Sequence, residues 1–198
     1  PDMATMLSFV FTDANLPVPG SAQVAFTSGS ASTCNVGIET AAPGYQITSV
    51  VTGFKVDNNC VGASGIAWDP QGNMYAINYG LSGGDLYRFP AESLPSVADA
   101  GTRITSTPYA SGTCTHGLAF SKDGTHLYLA RQFCASGGDV VEISTVDGHI
   151  IRNVAPLNSI TCATGVATDP LSGDLFVATP CGAPDIFRIG NPDSATPD

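Results

Sequence analysis

One segment of this chain occurs three times. SGIAWDPQGNMYAINYGLSGGDLYRF (Ser64 to Phe89), HGLAFSKDGTHLYLARQFCASGGDVVEIS (His116 to Ser144) and TGVATDPLSGDLFVATPCGAPDIFRI (Thr164 to Ile189) align, with leading glycines Gly65, Gly117 and Gly165 spaced 52 and 48 residues apart. Self-similarity at a fixed period constrains a fold more tightly than local propensity does. Each copy is one supersecondary unit that must bury its apolar face against its neighbours.

Every copy has the same internal grammar. An apolar run such as Gly65-Ile66-Ala67-Trp68 predicts a short strand. A turn follows, at Asp69-Pro70-Gln71-Gly72, Lys122-Asp123-Gly124 or Asp169-Pro170-Leu171-Ser172-Gly173, where Pro presets φ and Gly accepts positive φ. A second strand is predicted at Met74–Ile77, Leu127–Ala130 and Leu175–Ala178, and a third at Asp85–Phe89, Asp139–Ile143 and Asp185–Ile189. Outer strands are expected at Arg103–Ser106 and Ile150–Val154. No window has a helical period. A β-sandwich would also supply short strands, but it does not predict three aligned copies. The reading is all-β: a β-propeller of four-stranded antiparallel blades, about four of them present, as part of a longer propeller.

The blades divide as 61–110, 111–157 and 158–198, after a divergent first blade at 1–60 with strand-like runs at Leu7–Phe11, Ala22–Phe26, Val36–Thr40 and Tyr45–Val51. The third copy stops where an outer strand is due, and the chain opens Pro1-Asp2-Met3. Both features predict a longer parent protein; the other possibility is that Leu7–Phe11 closes the last blade.

Six cysteines permit 15 pairings, and the repeat selects among them. Cys114 and Cys162 each stand three residues before a leading Gly, and Cys134 and Cys181 each follow a second strand. In a meander those positions share one edge of the blade, which predicts Cys114–Cys134 and Cys162–Cys181 and leaves Cys34–Cys60. Each closes a loop of about 20 residues, worth roughly 3 kcal/mol on a loop-entropy basis. There is no C-x-x-C motif and the three His are scattered, which argues against zinc. Disulfides place the protein in a secreted, periplasmic or cell-surface setting.

Composition excludes some partners. Lys and Arg number 7 against 17 Asp and Glu, a net charge of −10, and this repels phosphate backbones and anionic headgroups. No run approaches the ~18 apolar residues of a membrane span. At 43% hydrophobic residues the chain is globular rather than disordered. No G-x-S-x-G elbow or H-E-x-x-H motif is present.

The consensus GIAWDPQGNMYA, GLAFSKDGTHLYLA and GVATDPLSGDLFVA, with third strands such as DLYRF and DIFRI, resembles NHL-type repeats. It also resembles the wider six-bladed group of SMP-30/gluconolactonase-like and virginiamycin B lyase-like propellers, over about Gly44 to Ile189, which implies that these blades are part of a six-bladed ring. The resemblance implies a ligand site at the channel mouth, on loops entering the first strand (Ser64, His116, Thr164) and leaving the second (Asn78, Arg131, Thr179). His116 and Arg131 are the ionisable pair of that set and would act as base and anion holder. A lactonase-like calcium site would draw on Asp57, Asn58 and Asn59, which otherwise read as an Asn-rich turn. That family's glutamate near the start of the first blade has no match here. Asp85, Asp139 and Asp185 recur in every copy, as structural residues do.

Three functions follow, in order. The first is an extracellular recognition or scaffold module for a protein or carbohydrate ligand. The second is a calcium-dependent hydrolase or lyase. The third is a structural subunit of a surface or filament assembly, with copies of itself as partners.

Overall fold

In a computed structural model, the structure describes residues 4–8, 41–54, 61–79, 84–97, 101–104, 113–133, 137–155, 160–181 and 185–194. Strands dominate, and the described residues contain no α-helix. The first repeat builds β3 (Ala63–Trp68), β4 (Met74–Asn78), β5 (Leu86–Phe89) and β7 (Thr102–Arg103). The second builds β8 (Thr113–Phe120), β9 (Leu127–Phe133), β10 (Gly138–Ile143) and β11 (Ile150–Ala155). The third builds β12 (Gly165–Thr168), β13 (Leu175–Thr179) and β14 (Asp185–Ile189). Each is an antiparallel sheet ordered as a meander, β3-β4-β5-β7, β8-β9-β10-β11 and β12-β13-β14. These are propeller-type blades. The first, second and third strands of each repeat fall where they were predicted, whereas the outer strand expected at Arg103–Ser106 is described at Thr102–Arg103, residues 105 and 106 lying outside the described residues.

The first-to-second-strand turns show why the sequence repeats. Gly72, Gly124 and Gly173 all have positive φ (81°, 76° and 88°), a region costly for any residue with a Cβ. Asp69 Oδ1 accepts from the backbone N–H of Gln71 and Asn73, and Asp169 Oδ1 accepts from Leu171. The second copy lacks that aspartate. Ser121 Oγ takes its place, accepting from the N–H of Thr125 and His126, while Asp123 accepts from Thr125 and from the Ser121 hydroxyl. Those bonds hold the Asp123 carboxyl down at about 2.

Period-2 alternation sends each sheet's side chains into two different interfaces. Met74, Ala76 and Phe89 pack against Val51 and Phe54. Tyr75, Ile77 and Leu86 face the other way, onto Leu118, Leu127, Leu129, Val141 and Ile143 of the second repeat. The second repeat's Tyr128, Ala130 and Val140 then pack on Ala163, Leu175, Val177 and Ile189 of the third. The core is thus a series of blade-to-blade layers.

The inner strands of the first two repeats lie so close to the next one that only glycine fits at Gly65 and Gly117. A Cβ on Gly65 would lie 2.0 Å from the His116 carbonyl oxygen, and one on Gly117 would lie 2.6 Å from that of Thr164.

Ahead of the repeats lies a different sheet. β1 (Ala4–Ser8) pairs antiparallel with β2 (Thr48–Phe54), and β6 (Ser96–Val97), from the connection after β5, pairs parallel with β2. The early strand therefore sits beside β2, not beside β14. β6 is only two residues long and of ordinary composition, so the sequence did not announce it.

Candidate functional site

The heads of β3, β8 and β12 and the ends of β4, β9 and β13 lie at one end of the sheets. Irregular register interrupts β3 between Ala63 and Gly65 and β8 between Thr115 and Leu118. Ser64 and His116 stand in these breaks, where a bulge re-aims a side chain away from the ordinary alternation.

The Cys162–Cys181 disulfide forms as the repeat predicted, with Cα atoms 5.7 Å apart, tying the approach to β12 to the end of β13. Cys162 has a φ of 56°, in the left-handed region that a residue with a Cβ seldom occupies. Cys34, Cys60 and Cys134 lie outside the described residues, as do Asp57, Asn58 and Asn59. Cys114 is buried, and its Sγ accepts from the Tyr79 hydroxyl at 3.3 Å.

The disulfide anchors a row of side chains crossing all three repeats. Gln132 Nε2 donates to Cys162 Sγ (3.0 Å), and Gln132 Oε1 lies 3.1 Å from His116 Nε2. A disulfide sulfur cannot donate, so the amide nitrogen faces it and the amide oxygen faces the imidazole. His116 must then carry its proton on Nε2. Its Nδ1 is left as a lone-pair acceptor, with no hydrogen-bond partner among the described residues. The Tyr79 ring lies against the imidazole, with centroids 5.3 Å apart. Burial pushes the His116 pKa down, with the Gln132 contact opposing. The ring is neutral at physiological pH.

The other residues expected at this mouth are bound into the scaffold. Arg131, expected beside His116 as an anion holder, is buried, and its guanidinium forks onto Asp139 through Nε (2.9 Å) and Nη2 (2.6 Å). The pair sits directly cross-strand. A buried arginine closed on a carboxylate in this way is held as part of the scaffold. Ser64 Oγ donates to the Thr115 carbonyl of the next repeat at 2.9 Å. Thr164 Oγ1 donates to Ala178 O. Buried Thr179 closes its own hairpin by donating to Asp185 O and accepting from Asp185 N–H. Asn78 keeps one buried oxygen, Oδ1, without a partner among the described residues. His116 is therefore brought together with Gln132 and Tyr79 rather than with Arg131. Sequence reasoning missed Gln132, although its place next to the exit residue Arg131 was a usable signal.

The described residues contain no cluster of three or more His, Cys, Asp or Glu able to hold a metal. Their loop carboxylates are already engaged: Asp69, Asp123 and Asp169 accept turn N–H groups, and Asp139 and Asp174 accept from arginines. The recurring Asp85 and Asp139 both meet arginine, as structural residues would.

At the opposite end of the inner strands lies a cleft of ≈ 430 Å³ whose lining includes Trp68, Phe120, Lys122, Thr168 and Pro170. Trp68 is 43% exposed. Lys122 Nζ donates to Leu171 O and Thr168 Oγ1 to Phe120 O, so the cleft's polar groups are mostly spoken for.

No family model matches the sequence, and no curated protein does. Among solved structures, a chain in a crystal structure of a mitotic checkpoint complex is similar, with a TM-score of 0.48 and 13% sequence identity. The match covers 86% of this chain and 47% of that one, so the chain spans about half its length. The blade architecture rests on the sheets themselves.

Proposed function

We propose that this chain is a recognition module, secreted or periplasmic, that binds a protein or glycan on the face formed by Tyr79, His116 and Gln132. One observation carries the reading. The end of the sheets where a catalytic pair was expected holds instead a neutral histidine, its tautomer set by an amide that leans on a disulfide. Such a group offers a fixed acceptor beside an aromatic ring, which suits hydrogen-bonded recognition at low entropic cost. Arg131, which would hold an anion beside such a base, is engaged with Asp139. The resemblance of the blade consensus to NHL-type repeats agrees with a platform role. The disulfide agrees with an oxidising compartment.

The test is a binding screen, run in parallel on glycan arrays and on extracellular protein fractions, with wild type and with Tyr79→Ala and His116→Ala. A ligand held by wild type and weakened about tenfold or more in both variants is expected. Calcium-dependent turnover of lactones that survives His116→Ala and Tyr79→Ala, with no ligand found, would overturn the reading.

A further inference from the structure

One amide group joins the disulfide to the histidine. Gln132 Nε2 lies 3.0 Å from Cys162 Sγ and 3.7 Å from Cys181 Sγ, so it spans both sulfurs, while Gln132 Oε1 meets His116 Nε2 at 3.1 Å. A disulfide sulfur accepts a hydrogen bond and has no proton to give, whereas a thiol can also donate one. The amide orientation, and with it the imidazole tautomer, is therefore dictated only while the two sulfurs are joined.

Two observations mark this bond as one that can open. Cys181, just beyond the end of β13, is only part-buried while Cys162 is buried, so a thiol from solution has its approach at Cys181. Cys162 is held at a φ of 56°, a backbone conformation that is costly for a residue with a Cβ. Accessible and strained disulfides are the labile and regulatory ones.

We propose that Cys162–Cys181 is a redox switch that sets, through Gln132, which hydrogen-bonding group His116 offers. The proposal deepens the recognition reading above and rests on it for the meaning of the switch. A dithiol reductant supplies the two electrons. Its first thiolate attacks Cys181 Sγ and the Sγ–Sγ bond breaks; its second thiol resolves the mixed disulfide. Cys162 and Cys181 are left as thiols, their two protons replacing those lost by the reductant, which becomes a disulfide. The Cys162 thiol then donates to the Gln132 oxygen, the amide turns over, and its NH2 group donates to His116 Nε2. The ring proton passes through solvent to Nδ1. There the imidazole changes from a lone-pair acceptor to an N–H donor, and the class of ligand group it suits changes from donor to acceptor.

The test is nitrogen NMR of the histidine-labelled chain at about pH 8, where a neutral imidazole shows which nitrogen carries the proton. With the bond intact, His116 should give one form, protonated at Nε2. After dithiothreitol, with opening of Cys162–Cys181 checked by alkylation and mass, a form protonated at Nδ1 should become the larger population. Cys181→Ser, which leaves a Cys162 thiol against Gln132 without any reductant, should show that form too. In Gln132→Leu the tautomer should be the same in both redox states. A tautomer indifferent to the bond in the folded wild type overturns the proposal, and so does a response that persists in Gln132→Leu. Loss of the folded spectrum in both the reduced wild type and Cys181→Ser also overturns it, because a switch needs two folded states. No ligand enters the measurement, so a failed binding screen leaves the switch standing and a fixed tautomer leaves the screen standing.

Discussion

The first and second repeat sheets begin their third strand with the same aspartate and treat it differently. Asp85 reaches outward to Arg103 on β7 at 2.6 Å, with side chains 28% and 47% exposed. Asp139 turns to Arg131 on β9, also at 2.6 Å, with side chains 1% and 8% exposed. The bond lengths match, but the surroundings do not. An exposed pair is screened by water and contributes at most about 1 kcal/mol. In a buried pair neither charge can be left alone without a heavy desolvation penalty. The repeat supplies an acid at this place, and depth in the stack decides what that acid is worth.

Substitution at the two pairs should expose this contrast. Arg131→Met strands the Asp139 carboxylate and should cost about 3–5 kcal/mol in urea unfolding. Arg103→Met should cost less than about 1 kcal/mol. Equal losses at both sites would mean that burial is not what separates them.

The apolar positions offer a parallel contrast. Leu86, fully buried against the second repeat, should lose about 2–5 kcal/mol on Leu86→Ala. Its counterpart Ile186, 73% exposed, should lose no more than about 0.5 kcal/mol on Ile186→Ala. A large loss at Ile186 would show that something covers it.

The smallest effect concerns His116, read by NMR titration of its ring protons. Its pKa should fall below the ordinary imidazole value, and Gln132→Leu should lower it further by removing the one contact that opposes burial. The native state binds this proton less readily than the unfolded chain. His116 therefore contributes stability above about pH 6.5 that is lost as the pH falls from there through the lowered native value. A rise in the pKa on Gln132→Leu would contradict the Gln132–His116 contact.

Much of the architecture was legible because it is local. Strand alternation, the Gly72, Gly124 and Gly173 turns and the Cys162–Cys181 staple all follow from residues within about 20 positions of each other, and three copies reinforced each signal. The site was less legible. Arg131 and Asp139 are opposite one another in a hairpin, and the second repeat is the one whose exit residue is basic, so their pairing could have been inferred from register alone. Gln132's hold on both His116 and Cys162 could not. It joins one strand to the approach of another 30 residues on, a distance that only blade packing closes.

The sequence by itself determined the blade, because a period-2 pattern, its turns and its cysteines act within one unit. The tertiary structure alone decided which equivalent residues are buried, which charges are worth keeping paired and which histidine nitrogen carries the proton. Those depend on the neighbouring blade, and identical repeats carry no mark of which neighbour each will have.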